Sequence, residues 1–160
     1  MTPRTWIAQL HEVTSVADLL IAFRNSSGRD WPSDNAFLAA VERLIERADT
    51  EFLLGAPAGD GPAAGVCQLR FRPSIWTASD DCWLEDLFVA QDARRGGVGS
   101  GLVQAALDRA QARGCRRVEL DTSEDNAAAI ALYQRFGFSG TSKGSGHRDL
   151  FMGVRLDHDD

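Results

Sequence analysis

The chain has 160 residues, of which 44% are hydrophobic and 25% are charged, and its formal net charge is −6 with a pI near 5.0. This length and composition predict one soluble domain, and the acidic balance argues against broad nucleic-acid binding, which needs a basic face. The sequence has no apolar run long enough to span a membrane, and MTPRTWIAQLHE lacks the core of a signal peptide, so no membrane partner and a cytoplasmic location are expected.

The N-terminal half of the sequence predicts two helices and three strands. Residues 5–10 (TWIAQL) favour a strand, and residues 16–25 (VADLLIAFRN) favour a helix that Thr14 or Ser15 caps and that ends near residues 26–28. A second helix follows, capped by Ser33 or Asp34. Its apolar stripe has helical spacing and consists of Phe37, Leu38, Val41, Leu44 and Ile45. Residues 50–56 (TEFLLGA) and 63–72 (AAGVCQLRFR) flank the turn-rich PAGDGP and predict a hairpin.

Strands and helices alternate in the C-terminal half. Residues 81–90 (DCWLEDLFVA) predict a strand, and a loop then leads into a helix that opens in glycines and ends near residues 113–114. Residues 115–123 (CRRVELDTS) predict a strand and residues 124–136 (EDNAAAIALYQRF) a helix. The segments FGFSGTSK and HRDLFMGVRL predict a final strand pair. Strands alternating with helices predict an α/β or α+β fold with a mixed sheet.

The three cysteines and three histidines do not form a recognisable metal or disulfide pattern. Cys67, Cys82 and Cys115 each lie in an apolar, strand-like run, and their odd number and wide spacing favour reduced core residues over a zinc site. The histidines at positions 11, 147 and 158 are scattered. The sequence therefore predicts no metal.

Four glycines lie among the six residues 96–101, directly before an apolar run at helical spacing. Glycine costs roughly 0.5–1 kcal/mol relative to alanine in a helix, so this cluster predicts that a ligand approaches the backbone closely. A helix N-terminus beside arginines suits a phosphate. A Walker phosphate loop fails because Leu102 and Val103 stand where lysine and serine or threonine are needed. A dinucleotide fingerprint has Asp121 in its favour but needs a glycine at position 102, and a glycine turn without a ligand stays open.

Two motifs resemble those of the GNAT superfamily of N-acetyltransferases. LEDLFVAQDARRGGVGSGLVQAAL (84–107) follows the acetyl-CoA-binding pattern of strand, valine, loop and Arg/Gln-x-x-Gly-x-Gly/Ala, through Val89, Arg94, Gly97 and Gly99. DNAAAIALYQRFGF (125–138) follows a second family pattern, through Asn126, Ala129, Leu132, Tyr133, Gly137 and Phe138. The resemblance covers about residues 82–140. It implies an α/β (α+β) domain over residues 1–160, with a mixed, mostly antiparallel sheet of about seven strands, about four helices and splayed central strands.

The resemblance implies that the cofactor is acetyl-CoA, without a metal. It assigns the backbone of Leu87, Phe88 and Val89 to the pantetheine arm, which lies along the strand like an added β-strand. It assigns the glycine loop and its arginines to the pyrophosphate: Arg94, Arg95, Gly96, Gly97, Val98, Gly99 and Ser100. Asn126 would hydrogen-bond the cofactor arm, with a simple helix N-cap as the alternative.

The expected acceptor is a primary amine, of which only about one molecule in 2,500 is neutral at pH 7 when its pKa is near 10.4. A base is therefore useful, and the candidates are Glu85 and Asp86 on the cofactor strand. Strand alternation places Glu85 on the same face as Leu87 and Val89, but a bulge, which is frequent here in the family, would bring in Asp86 instead. Both carboxylates could equally cap the strand or bind the substrate cation. Tyr133 stands in the family's acid position, and a core aromatic is its alternative role.

The sequence leaves the identity of the acceptor open, whether a small molecule or a peptide. Acidic, aromatic and loop residues are the candidates to contact it: Asp30, Trp31, Asp34, Trp76, Asp80, Asp81 and the segment SKGSGHRDL (142–150). Two alternative functions also stay open, a non-catalytic acyl-CoA-binding domain of the same fold and a nucleotide-binding module. The sequence does not decide whether the protein is a homodimer.

Overall fold

A five-stranded mixed sheet organises the N-terminal part of the chain. The computed structural model describes residues 2–157, so the histidine at position 158 lies outside the described residues. By its contacts the chain divides into two units, residues 1–120 and 121–160. The prediction of a single domain over residues 1–160 stays a prediction.

The first unit contains five strands and three α-helices. In chain order these are β1 Arg4–Ile7, α1 Val13–Ser26, α2 Asp34–Leu44, β2 Thr50–Ala56, β3 Gly65–Ser74, β4 Ser79–Val89, α3 Val98–Ala112 and β5 Val118–Glu119. Short 3-10 turns precede α1 at Leu10–Glu12 and α3 at Gln91–Ala93. The second unit contains α4, Ala127–Arg135. The element order confirms the predicted α/β class and the four helices.

The sheet has the order β1-β2-β3-β4-β5. Its first four strands are antiparallel neighbours, and β5 pairs in parallel with β4. The parallel ladder contains only the register pairs Cys82↔Val118 and Trp83↔Glu119, although β4 continues to Val89. This early end of the ladder agrees with the expectation that the central strands diverge.

The prediction of about seven strands is wrong for the described residues, which form five. The strand predicted over residues 115–123 shrinks to Val118–Glu119, and the predicted final pair is reduced to one isolated bridge, Thr141↔Arg148. Alternating apolar residues favour a strand, but a strand also needs a partner for its backbone groups. Leu150, Met152 and Val154 are instead 72–85% exposed.

The helix starts were predicted correctly for α2 but not for α1. Ser33 caps α2 as predicted, since its hydroxyl accepts a hydrogen bond from the Ala36 N–H at 3.1 Å. Helix α1 begins at Val13, ahead of both predicted caps. The reason is the Glu12 carboxylate, which accepts from the Gln9 N–H at 3.0 Å and from the Trp6 indole at 2.9 Å and so fixes the turn before α1.

Two apolar layers cover the two faces of the sheet. One face packs against α1 and α2, and its core includes the predicted α2 stripe together with Leu54, Val66 and Phe88. The opposite face packs against α3, and its core includes Leu53, Cys67 and Leu84. We call these the α1 face and the α3 face. Strand alternation therefore decides which helix each side chain meets.

Candidate active site

The glycine loop ends in a left-handed glycine at the start of α3. Gly97 is the N-cap residue, with φ of 78°, a conformation that favours glycine. The Gly101 N–H donates to the Gly97 carbonyl at 2.9 Å, which closes the first turn. The backbone N–H groups within that turn have no acceptor inside the helix. The start of α3 therefore carries the partial positive charge and the donors that suit an anion.

Not every glycine of the loop has room for a ligand beside it. A Cβ at Gly101 would lie 3.0 Å from the Pro3 Cγ, so the packing of the N-terminal segment favours a residue without a side chain at this position. Gly101, which is not among the residues predicted to bind the cofactor, therefore has a packing reason to be glycine. The Val98 side chain is buried in the α3-face core, so only its backbone can contribute to the loop.

The two arginines of the loop have different conformations. Arg94 turns back on the end of β4, where its Nε donates to the Val89 carbonyl at 3.2 Å. Arg95 has φ of 71°, a left-handed conformation that is uncommon for a side chain other than glycine. Both arginines are exposed. They place two cations next to the first turn of α3.

Strand β4 contains a β-bulge at the two candidate bases. Gln68 pairs with Glu85 and Val66 pairs with Phe88, so these two register pairs are two residues apart on β3 but three residues apart on β4. The extra residue coincides with Asp86, whose φ is 56°. The bulge that the resemblance allowed for is present, and it changes the phase of the strand by one residue.

Because of the bulge, Glu85 lies on the opposite face of the sheet from the one that simple alternation predicted. Cys82 and Leu84 contact the α3-face core before the bulge, whereas Leu87 and Val89 contact it afterwards. Glu85 lies opposite Gln68 and Phe88 opposite Val66, so Glu85 belongs to the α1 face. The expectation that Glu85 shares a face with Leu87 and Val89 is therefore wrong, because the bulge interrupts the alternation.

Glu85 lies among polar residues of the α1 face that sequence reasoning missed. Its Oε2 lies 3.1 Å from Arg70 Nε, and its side chain is 25% exposed. Gln68, directly across from it, is only 4% exposed, and its Nε2 has no hydrogen-bond partner among the described residues. A polar residue at every second position of a buried strand was the available signal, since Gln68 and Arg70 interrupt the apolar run of β3.

Some candidate acceptor contacts have structural partners in the fold. Asp81 is 2% exposed; burial raises its pKa, but hydrogen bonds from Arg117 and Thr77 outweigh this, so that its pKa lies below the ordinary value. Arg117 is 2.7 Å away and joins β5 to β4. Asp34 pairs with Arg24 at 2.7 Å. Trp31 and Trp76 are exposed, at 74% and 92%.

Asn126 and Tyr133 belong to the second unit. Asn126 is the N-cap of α4, and its Oδ1 accepts from the Ala129 N–H at 3.3 Å, which is the alternative role considered for it. This bond leaves the amide nitrogen of Asn126 as the group that a cofactor could engage. Tyr133 is 8% exposed, and its ring contacts Phe138 edge-on at 5.8 Å between centroids. The buried position agrees with an apolar stripe of α4 at helical spacing, which consists of Ala129, Leu132, Tyr133 and Phe136.

Cys67 and Cys82 are core residues, as predicted, whereas Cys115 is half-buried at the edge of the α3-face core. Cys67 and Cys82 are fully buried, and burial raises the pKa of both thiols, to about 12 for Cys82. A thiol with so high a pKa is a poor nucleophile at neutral pH. Within residues 2–157 no three histidine, cysteine or acidic side chains cluster closely enough to hold a metal ion. No α-helix in that same range is both long and apolar enough to cross a membrane.

Comparison with known proteins identifies the family. The profile of the Acetyltransferase (GNAT) family matches residues 16–138. Aminoglycoside N(6')-acetyltransferase type 1 from Klebsiella aerogenes is 37% identical over 93 residues, which cover 54% of this chain and 59% of the relative. Mycothiol acetyltransferase from Actinosynnema mirum is 31% identical over 123 residues, which cover 72% of this chain and 38% of the relative. This chain thus matches only part of these two relatives.

Solved structures agree over nearly the whole chain. A protein from Arthrobacter sp. FB24 has a TM-score of 0.84 at 25% identity, with 98% of this chain and 96% of that chain covered. AAC(6')-Iy in complex with the bisubstrate analogue CoA-S-monomethyl-acetylneamine has a TM-score of 0.73 at 22% identity, with 98% and 100% covered, and this likeness concerns the fold alone. The family profile, the relatives and the shared fold together show that this chain belongs to the GNAT family of acetyltransferases.

Proposed function

We propose that this protein transfers the acetyl group of acetyl-CoA to a primary amine of a small molecule or peptide, by direct attack of the amine in a ternary complex. The observation that carries the proposal is the start of α3, where the left-handed Gly97 opens the helix, Arg95 precedes it by two residues, and the Arg94 guanidinium lies at the end of β4. This arrangement suits a pyrophosphate. Bound acetyl-CoA supplies an activated thioester.

Strand β4 and the glycine loop are assigned to different parts of the cofactor. The backbone of Leu87, Phe88 and Val89 lies beyond the short β4–β5 ladder and is assigned to the pantetheine arm. The residues from Arg94 to Ser100 are assigned to the pyrophosphate, with Gly96 and Gly99 giving close access to the backbone. Asn126 is assigned a hydrogen bond from its amide nitrogen to the cofactor arm, while its oxygen caps α4.

Glu85, Asp86 and Tyr133 are proposed for the proton transfers. Deprotonation of an alkylamine with a pKa near 10.4 costs roughly 4.6 kcal/mol at pH 7, so a carboxylate that takes up this proton lowers the barrier. Glu85 is preferred because its side chain is only 25% exposed, whereas Asp86 at the bulge is exposed. Tyr133 is assigned the protonation of the leaving thiolate, by transfer or by hydrogen bonding.

Several of the matched relatives are aminoglycoside N(6')-acetyltransferases, which makes an aminoglycoside a sensible first acceptor to test. Purified protein is incubated with acetyl-CoA and, in turn, neamine, an alkyl diamine and a peptide with a free N-terminus, and thiol release is followed. We expect turnover with at least one amine. Binding of acetyl-CoA without thiol release would instead indicate a non-catalytic acyl-CoA-binding domain. Stabilisation by ATP or NAD and not by acetyl-CoA would indicate a nucleotide-binding module.

The loop assignment has its own test at Gly99. Gly99→Val places a branched side chain in the first turn of α3, and we expect acetyl-CoA affinity to fall at least about ten-fold while the helix is retained, since valine is no worse than glycine in a helix. Gly99→Ala should lose less. Gly101→Ala is the matched control: its methyl group meets Pro3, so any effect falls on packing and affinity should stay unchanged. Unchanged affinity in a folded Gly99→Val variant would contradict the assignment.

A further inference from the structure

A buried amide lies directly across the sheet from Glu85. We propose that Gln68 is a positioning residue for Glu85. When Arg70 no longer binds the Glu85 carboxylate, this carboxylate turns to Gln68 and accepts a hydrogen bond from its side-chain amide. The proposal rests on the proposed function, because it concerns the same carboxylate during turnover.

The position of Gln68 is fixed by strand register. Gln68 and Glu85 are a direct cross-strand pair on the α1 face, where such side chains start about 4.5–5.5 Å apart. Gln68 is 4% exposed, and its Nε2 has no hydrogen-bond partner among the described residues. Burying an amide donor without a partner is costly, and such groups are rare in native structures. The fold therefore keeps a donor in place that it does not use in this state.

Glu85 has two donors near it on the α1 face, Gln68 directly across and Arg70 two residues further along β3. Its carboxylate is paired with Arg70, which is 53% exposed. Gln68 lies on the inner side, next to the apolar residues under α1. Arg70 is thus the outer donor and Gln68 the inner donor of one carboxylate.

A cationic acceptor is a direct competitor of Arg70. An alkylammonium group and a guanidinium bind the same carboxylate, and the Arg70–Glu85 ion pair is open to solvent on its Arg70 side, where such a pair is weak enough to exchange. When the amine takes the outer side of the Glu85 carboxylate, the oxygen on the inner side can accept from Gln68 Nε2. The step replaces the Arg70–Glu85 ion pair with an ion pair between the amine and Glu85 and adds one amide hydrogen bond, with no covalent change. The carboxylate is then held by the protein while the amine occupies its outer side.

A melting-temperature cycle tests the exchange without any ligand. In the parent, Gln68→Met removes an orphaned donor at nearly constant volume, and we expect the melting temperature to rise by roughly 2–6 °C. In the Arg70→Met background Glu85 is expected to turn to Gln68, so the same Gln68→Met change should now lower the melting temperature. This reversal of sign supports the proposal. A shift of the same sign in both backgrounds would overturn it.

Side-chain amide NMR gives the same test by a second route. The Gln68 resonances are identified by their loss in Gln68→Met. We expect them to move in Arg70→Met and to return towards the parent position in Arg70→Met/Glu85→Gln. Resonances that stay in place in Arg70→Met would contradict the proposal even if the melting data were ambiguous.

Turnover provides the functional readout. Gln68→Met should lower kcat with the accepted amine about ten-fold and leave the KM for acetyl-CoA unchanged, whereas a purely structural role predicts no loss in a folded, more stable variant. Leu69→Met is the matched control, because the neighbouring residue is equally buried but lies on the α3 face. Full kcat in Gln68→Met would overturn the proposal. If the parent releases no thiol with any amine, the proposed function fails, and the melting cycle and NMR still decide the role of Gln68.

Discussion

Asp86 shows how much one backbone conformation changes at the candidate site. With φ of 56° it occupies the left-handed region, which costs of order 1–3 kcal/mol for most residues other than glycine but less for Asp and Asn. Its insertion opposite β3 moves Glu85 onto the face of Gln68 and Phe88. The face on which Glu85 lies therefore depends on the backbone conformation of its neighbour Asp86.

Conservative substitution of the two carboxylates separates their roles. We expect Glu85→Gln to lower turnover at neutral pH by about 10²-fold and to recover part of the loss at alkaline pH, where more of the amine is already neutral. Asp86→Asn is the matched variant, because asparagine keeps the left-handed conformation, and it should lose little. The measurement is kcat against pH for both variants. An equal loss of Glu85→Gln at every pH would assign Glu85 to binding rather than to proton transfer.

Tyr133 has two candidate roles, general acid and core aromatic, and only the first requires its phenol oxygen. Tyr133→Phe keeps the edge-on contact with Phe138 and the apolar stripe of α4, so the melting temperature and acetyl-CoA affinity should change little. We expect turnover to fall roughly ten-fold to a thousand-fold if the phenol protonates the thiolate. The rate is measured where chemistry limits it. A parent-like rate would mean that the acid is water or another group.

At the level of elements, two glycines of the sheet decide where α3 lies. A Cβ at Gly65 would lie 2.7 Å from Val98 Cγ1, and one at Gly55 would lie 3.0 Å from the same atom. Gly55 and Gly65 are register partners on β2 and β3. The first turn of α3 can approach the sheet this closely only because both side chains are absent. The start of the helix, and with it the glycine loop, is therefore positioned by residues far away in sequence.

Adding one methyl group at Gly65 tests this packing. Gly65→Ala should destabilise the protein by about 1–3 kcal/mol, because an overpacked core must shift α3 or the strand. Acetyl-CoA affinity should fall with it if the loop moves. Gly65→Ala/Val98→Ala removes the clashing side chain and should recover part of the stability and the affinity. Melting temperature and ligand-induced stabilisation measure both; a double variant no better than Gly65→Ala would contradict this account.

At the level of the whole molecule, the acidic chain contains a half-buried charge network that ties β2 to α3. Glu51 is 9% exposed and lies 2.7 Å from Arg109 and 3.0 Å from Arg113. Burial raises the pKa of Glu51, but the hydrogen bonds from the two arginines outweigh it, so its pKa lies below the ordinary value. Such a carboxylate stabilises the fold above its unfolded pKa, near 4.3, and this stabilisation is lost as the pH falls through the lower folded value.

The lowered pKa of Glu51 determines how stability depends on pH. At pH 7 Glu51→Gln should lower stability by about 1–3 kcal/mol, since it weakens charge-assisted hydrogen bonds. The difference from the parent should shrink as the pH drops below about 4, because the Glu51 carboxylate is protonated first in the unfolded chain and then, at its lower pKa, in the folded protein. Melting temperatures from pH 3 to pH 7 provide the measurement. Glu46→Gln, an exposed change of equal charge, is the control and should give a small difference at every pH.

The sequence by itself determined the order of the elements from β1 to α4 and the place of the glycine loop before α3. Apolar periodicity predicted the α2 stripe and the β2–β3 hairpin, and Ser33 was predicted as a cap because capping is a contact within one turn. The glycine loop and the segment around Tyr133 were recognised because their motifs are local in sequence. These features depend on neighbours a few residues apart, and such neighbours are visible in a sequence.

Only the tertiary structure decided which side chains share a surface. The bulge at Asp86 changes the face of Glu85, and the register of β3 brings Gln68 and Arg70 to it. Position 101 requires glycine because Pro3 packs against it, and α3 approaches the sheet closely because Gly65 has no side chain. The apolar alternation of residues 150–156 predicted a strand that the structure lacks, because a strand forms only where a partner offers its backbone. Contacts between distant segments are set by packing and register, which periodicity along one chain does not encode.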